Sequence, residues 1–129
     1  MPLYRCAIAS GTSSEAQRAE IARAVVQIHC AVTGAPPSFV HAFFSEAPSS
    51  KLPAGKSAFV LGTIRWGRSA EQKARIVSEL SESVAAVLGL AREAVAVVTA
   101  DIPSRWNMEG GELLPEPGEE AEWLTRHRH

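Results

Sequence analysis

The apolar positions of this chain form one pattern that occurs twice. In each copy, a short apolar run precedes a long segment with apolar residues at helical spacing, and a second short run follows. The opening runs are residues 3–9 and 57–64, and the closing runs are residues 39–44 and 94–100. The helical stripes consist of Ile21, Val25, Ile28 and Val32 in one copy, and of Ile76, Leu80, Val84 and Val87 in the other. Each copy therefore predicts strand, helix, strand.

The two copies align without a gap at an offset of 55 residues. Several residues at element ends are identical at this offset, in the pairs Ser14 and Ser69, Gln17 and Gln72, Gly34 and Gly89, and Pro48 and Pro103. A serine followed three positions later by glutamine has the spacing of a capping box, which predicts where each helix begins. The glycines are placed as helix C-caps, and the prolines end the closing strands.

Two such units predict an α+β, two-layer fold, built from a duplicated β-α-β unit. The crossover makes the two strands of each unit parallel, giving a four-stranded sheet with both helices on one face. The other face is then uncovered, so self-association is expected. We expect a single domain over residues 1–129, with repeat one at about 2–48, a polar linker at 49–56, repeat two at about 57–103 and an irregular tail at 104–129. The end of the tail, residues 125–129, is expected to be loose.

Composition excludes some classes of function. The chain is 46% hydrophobic and 21% charged, with a formal net charge of -1. This balance argues against a nucleic-acid or membrane-surface role, and no apolar run is long enough to cross a membrane. Polar residues near the start interrupt any signal peptide. Two cysteines, Cys6 and Cys30, do not form a disulfide framework, and we expect two reduced thiols in a cytoplasmic protein.

The positions where the copies differ are candidates for chemistry, because the sister copy packs without them. They are Pro2 against Ser57, His29 against Val84, Arg65 against Ser10, and Arg68 against Ser13. Methionine is normally removed before a proline, and Pro2 would then supply a secondary amine. An α-amino group titrates at about 7.7 to 8.0, near operating pH, so this amine can transfer protons or attack a carbonyl.

The other candidates suit a site for a small anion. Arg65 and Arg68 stand at the start of the second helix, where a cation is misplaced unless an anion completes the site. The arginine fork matches a carboxylate. His29 lies on the inward stripe, where it is either a structural core histidine or a proton carrier or ligand for substrate. Glu109, on a glycine-flanked loop, is either a solvated acid or a general base that activates water. No spacing resembles a zinc site.

Taken together, these motifs resemble the cis-3-chloroacrylic acid dehalogenase group of the tautomerase superfamily. The resemblance covers nearly the whole chain. It rests on Met1-Pro2, IHCAVTG at 28–34, RWGRSA at 65–70, Met108-Glu109, LPEPG at 114–118 and Trp123. It implies a β-α-β-β-α-β subunit in a homotrimer, with no cofactor and a small carboxylate as substrate.

The resemblance also implies a role for each candidate residue. Pro2 would give or take the proton at a substrate carbon. Arg65, Arg68 and His29 would hold the carboxylate and polarise the substrate, and Glu109 would activate water. The family's dehalogenases have a water-positioning tyrosine in the fourth strand, and Val98 stands in that place. Valine cannot hydrogen-bond water, so proton transfer by Pro2 is expected to be less affected than dehalogenation.

Three readings of function stay open from the sequence. The first is a cofactor-free enzyme that tautomerises, hydrates or dehalogenates a small 2-oxo or 3-halo-unsaturated carboxylate. The second is a decarboxylase of a β-oxo acid, with Pro2 as imine former or electrostatic partner. The third is a catalytically silent binding protein on the same fold.

Overall fold

A computed structural model describes residues 1–127 of the chain. The main strands are β1 (Leu3–Ala9), β2 (His41–Ala47), β3 (Ala58–Arg65) and β4 (Val95–Ile102). Two long helices, α1 (Glu15–Thr33) and α2 (Ala70–Leu88), connect the strands of each repeat. The tail adds a short hairpin of β5 (Met108–Glu109) and β6 (Glu112–Leu113), and a helix, α3 (Glu120–Arg126). Short 3-10 turns cover Pro37–Phe39, Ser49–Lys51, Arg92–Ala94 and Ser104–Trp106.

The sheet has the order β2-β1-β3-β4, and its two halves correspond to the two repeats. Strands β1 and β2 are parallel, and so are β3 and β4, as a crossover helix requires. The repeats meet at the antiparallel pair of β1 and β3, in which Tyr4 lies opposite Gly62. This arrangement confirms the predicted fold class.

The two long helices begin and end where the sequence predicts. Ser14 and Ser69 form complete capping boxes with the glutamines at 17 and 72, and Gly34 and Gly89 adopt the left-handed conformation with φ of 76° and 67°. Each of these glutamines also reaches the other repeat. The Gln17 side chain donates to the Val87 carbonyl at 3.1 Å, and the Gln72 side chain donates to the Val32 carbonyl at 3.2 Å. The start of each helix therefore binds the end of the other.

The hydrophobic core lies between the helices and one face of the sheet. It is built from the inward positions of the strands, Tyr4, Cys6, Ile8, Ala58 and Val60, and from the helical stripes around Ile21, Val25, Ile76, Leu80 and Val84. Side chains alternate along a strand, so the residues between them face the other way. The paired positions Phe43, Arg5, Leu61 and Val98 form one row across that open face. Phe43 and Val98 are about half exposed there.

The structure differs from the predicted boundaries most clearly at the second strand and in the tail. The second strand begins at His41 instead of residue 39, because Pro36 and Pro37 lead into a 3-10 turn that directs Phe39 into a second cluster with Leu114 and Trp123. The tail was expected to be irregular, but it contains the hairpin and α3.

Residues 125–129 were expected to be loose, and this prediction was wrong for the first two of them. Residues 125 and 126 belong to α3, and residues 128–129 lie outside the described part of the chain. Within the described residues, no helix is both long and apolar enough to cross a membrane.

Candidate active site

The N-terminus lies at the start of β1, inside the fold. Pro2 is buried, and its carbonyl accepts a hydrogen bond of 3.0 Å from the His41 backbone N–H on the neighbouring strand. The Met1 amine lies 4.0 Å from Glu109 Oε2. Burial lowers the pKa of this amine below its usual value, Glu109 opposes the shift, and Arg65 adds to it. The terminal amine therefore lies near the Glu109 carboxylate, and its pKa also responds to the positive charge of Arg65.

The Met1 side chain packs at the edge of the second cluster. That cluster consists of Phe39, Leu114 and Trp123, and Trp123 is fixed by a 2.7 Å hydrogen bond from its indole N–H to the Leu113 carbonyl. The Thr63 hydroxyl lies 3.4 Å from the Met1 sulfur. Removal of Met1 would leave a space of about one side chain next to Pro2, with apolar walls from the tail.

His29 is buried in the core and bound to Tyr4. The Tyr4 hydroxyl and His29 Nδ1 are 2.8 Å apart, and the rings meet edge to face. Burial, then the charges of Arg68, Arg65 and the N-terminal amine, lower the pKa of His29 to about 3. Burial raises the pKa of Tyr4 well above its usual value, so the phenol keeps its proton. A neutral imidazole that accepts from Tyr4 at Nδ1 carries its own hydrogen on Nε2, where it can donate to a substrate oxygen.

Arg65 is the largest fully buried side chain among the described residues. Its Nη1 donates to the Pro115 carbonyl at 2.7 Å, and its Nη2 donates to Glu120 Oε1 at 2.7 Å. The guanidinium also lies over the Phe39 ring, 5.3 Å from the ring centre. These contacts fix the arginine between the sheet and the tail.

Arg68 shares the carboxylate of Glu120 with Arg65. Its Nη2 lies 3.4 Å from the same Oε1, and its Nη1 donates to the Thr33 carbonyl at 3.3 Å. Glu120 Oε2 accepts a 2.7 Å hydrogen bond from the Gly118 backbone. Burial works against the charge on Glu120, but the hydrogen bonds from Arg65 and Gly118 hold the pKa of this carboxyl below its usual range. The arginine pair thus has an internal counterion.

Glu109 faces the N-terminus from the tail hairpin. Its Oε2 lies 3.7 Å from His41 Nε2, and it is a buried oxygen that makes no hydrogen bond to any of residues 1–127. A buried carboxylate oxygen without a donor is uncommon and is expected to bind water or a ligand. This is the position in which a general base would hold a water molecule.

The structure thus arranges the five predicted residues around the start of β1. Glu109 raises and Arg65 lowers the pKa of the terminal amine, and the charges of Arg68 and Arg65 both lower the pKa of His29. Val98 lies apart from them, on the open face of β4. A depression on that face, lined by Arg5, Ala7, Ser45, Phe59 and Leu61, contains none of the predicted site residues.

Sequence reasoning missed two residues that shape this site. Tyr4 is the single tyrosine of the chain and occupies an inward position of β1, so it needed a buried polar partner. That requirement, set beside an inward histidine, was a signal for the pair with His29. Glu120 gave no comparable signal, because it is one of several acids in the tail.

Comparisons with known proteins support the family and the fold. A family model described as "Tautomerase enzyme" matches residues 63–114. A crystal structure of N1, described as a member of the cis-3-chloroacrylic acid dehalogenase family, is 32% identical, with a TM-score of 0.90 over 98% of this chain and 92% of that one. Native Ps01740 is 40% identical, with a TM-score of 0.76 over 84% of this chain and 100% of that one.

A third structure, a Q0 fused 4-OT wild type symmetric trimer, is 28% identical, with a TM-score of 0.77 over 88% of this chain and 95% of that one. None of the curated proteins matches this chain. The family-model match and the 32% identical relative together define the class as the tautomerase superfamily, a superfamily of enzymes. Within it, the chain belongs to the cis-3-chloroacrylic acid dehalogenase group.

Proposed function

We propose that this chain is a cofactor-independent enzyme that moves a proton to or from a carbon atom of a small carboxylate. Removal of Met1 frees the Pro2 nitrogen, and this secondary amine carries the proton. The observation that carries the proposal is the setting of the N-terminus. The Met1 amine lies 4.0 Å from Glu109 Oε2, and burial lowers the pKa of that amine. Pro2 is itself buried at the same end of β1, so an amine exposed there by removal of Met1 would enter a similar setting.

The carboxylate of the substrate binds near Arg65 and Arg68. A guanidinium has five N–H donors, so both arginines retain donors beyond their contacts with Glu120 and the backbone. His29 stays neutral at physiological pH and donates from Nε2 to a carbonyl or enol oxygen of the substrate. The substrate carbon next to that oxygen then lies toward Pro2.

Tautomerisation of an enol acid is the reaction that these residues favour. The neutral Pro2 amine accepts the proton of the enol hydroxyl, and the electron pair of that O–H bond forms the carbonyl. The carbon–carbon double bond takes up the proton that Pro2 returns, which gives the 2-oxo acid. The Pro2 amine must begin this cycle without its proton, and burial of the N-terminus disfavours the charged form of an amine.

Hydration of a 3-halo-unsaturated acid is a second candidate, favoured by the unsatisfied oxygen of Glu109. Glu109 takes a proton from water as the oxygen bonds to the β-carbon, and protonated Pro2 gives a proton to the α-carbon. The resulting halohydrin loses halide and a proton to form an aldehyde. This reaction needs Pro2 protonated at the start, and burial of the N-terminus disfavours that charged form.

The experiment combines intact mass with two activity assays. Mass spectrometry shows whether Met1 is removed. Loss of enol absorbance with an enol 2-oxo acid measures tautomerisation, and a proton NMR time course with cis-3-chloroacrylate measures hydration. We expect tautomerisation to be the faster reaction. Pro2→Ala, which leaves a primary amine of different basicity, is expected to lower the rate by about 10²-fold or more.

The matched control keeps Pro2 but converts its nitrogen to an amide, through an uncleaved N-terminal extension. Loss of activity in both variants, with the fold retained by circular dichroism, supports the proline mechanism. Full activity in either variant would refute it. A retained Met1, or ligand binding without turnover of either substrate, would favour the silent binding protein instead.

We further propose that the chain acts as a homotrimer in the cytoplasm. The open face of the sheet, with Phe43 and Val98 exposed, offers a surface for partner subunits. The fused 4-OT relative is itself described as a symmetric trimer. Size-exclusion chromatography with light scattering measures the assembly, and a monomer at micromolar concentration would contradict the proposal.

A further inference from the structure

Glu120 brings a negative charge of the chain's own into the arginine pair. Its side chain is only 12% exposed, and Arg65 and Arg68 are 1% and 7% exposed, so the three charged groups are shielded from solvent together. Both guanidinium groups contact the same oxygen of the carboxylate. The contact is supplied by the first turn of α3, which no part of the duplicated scaffold requires.

The balance of charges follows from these contacts. Two guanidinium groups and one carboxylate leave a single net positive charge. His29 adds none, because its imidazole is neutral, and Glu109 faces the terminal amine instead of the arginines. One ligand carboxylate completes this balance. A second ligand carboxylate would find no unneutralised guanidinium charge in this pair, and an unpaired buried charge is costly.

We infer that Glu120 is a specificity residue that restricts the arginine site to ligands with a single carboxylate and disfavours the same skeleton when it carries a second carboxylate. This inference rests on the proposed function, because it assumes that the arginine pair binds the carboxylate of the substrate. It extends that function by naming the charge of the ligand and the residue that selects it.

The test compares acrylate with fumarate, which is acrylate with a second carboxylate on its β-carbon, by isothermal titration calorimetry on the full chain. Wild-type protein is expected to bind acrylate at least about tenfold more tightly. Glu120→Gln, which keeps the shape of the side chain and removes the charge, is expected to shift this ratio toward fumarate by about tenfold or more. Glu122→Gln, which removes an exposed charge from the same helix, is expected to leave the ratio unchanged.

Each outcome has a distinct meaning. If wild-type protein binds neither acrylate nor fumarate, the carboxylate site is wrong, and the proposed function and this inference fail together. If wild-type protein binds acrylate but Glu120→Gln keeps the same preference, or weakens both ligands equally, Glu120 is only structural and this inference alone fails. The wild-type ratio is informative even if Glu120→Gln does not fold, because equal binding of both ligands already overturns the selection.

Discussion

The neutral state of His29 has a measurable effect on stability. Folding lowers the pKa of this imidazole to about 3, whereas an unfolded histidine titrates near 6.5. Below that unfolded value, the unfolded chain takes up a proton that the folded chain refuses, so stability falls as the pH falls. From these two pKa values, the free energy of unfolding should drop by about 2 kcal/mol between about pH 7 and about pH 5. The full loss, about 5 kcal/mol, would be reached only below the folded pKa.

Urea denaturation at fixed protein concentration, at several values of pH in this window, measures the effect. His29→Gln cannot titrate, so its free energy of unfolding should fall by about 2 kcal/mol less than that of wild type over the window. The matched control is His41→Gln, which makes the same substitution at a histidine that is half exposed instead of buried. A wild-type stability that is flat over the window, or the same slope in His29→Gln, would refute the neutral buried imidazole.

Two further predictions concern the scaffold around the site. Gly62→Ala places a Cβ 2.5 Å from Cε1 of Tyr4, so the ring must move away from its hydrogen bond with His29. Urea denaturation should show that the free energy of unfolding falls by about 1–3 kcal/mol. Unchanged stability would mean that the Tyr4 ring moves aside at little cost. Ser69→Ala removes the hydroxyl oxygen that caps α2, and the same assay should show a free energy of unfolding lower by about 1 kcal/mol. A decrease near zero would show that the Gln72 side chain alone is sufficient to cap the helix.

The duplicated scaffold was readable because its signals are local and periodic. The capping boxes at Ser14 and Ser69 and the glycines that end the helices depend on neighbours within one turn. Inward and outward positions of the strands follow from alternation. The parallel pairs then follow from the length of the crossovers. All of these features were confirmed in the structure.

The parts that the sequence did not show depend on contacts between distant segments. Phe39 leaves the predicted strand because Leu114 and Trp123, from the tail, form a separate cluster around it. Glu120 reaches Arg65 across 55 positions of sequence, and no periodicity marks such a pair. The arginines themselves were identified because their sister positions are serines, whereas α3 has no sister copy for comparison.

The duplication also limits how many amine sites a chain can have. Position 57 is the sister of Pro2, but it lies in the middle of the chain, where the Ser57 nitrogen is a peptide amide that donates to the Ala94 carbonyl at 2.7 Å. A peptide amide nitrogen has no basic lone pair, so it cannot accept an additional proton at neutral pH. The second repeat therefore cannot build a working copy of the proposed site, whatever residues surround it. Two repeats in one polypeptide leave one N-terminal nitrogen for the proposed chemistry, so Ser10 and Ser13 are not required to take the role proposed for Arg65 and Arg68.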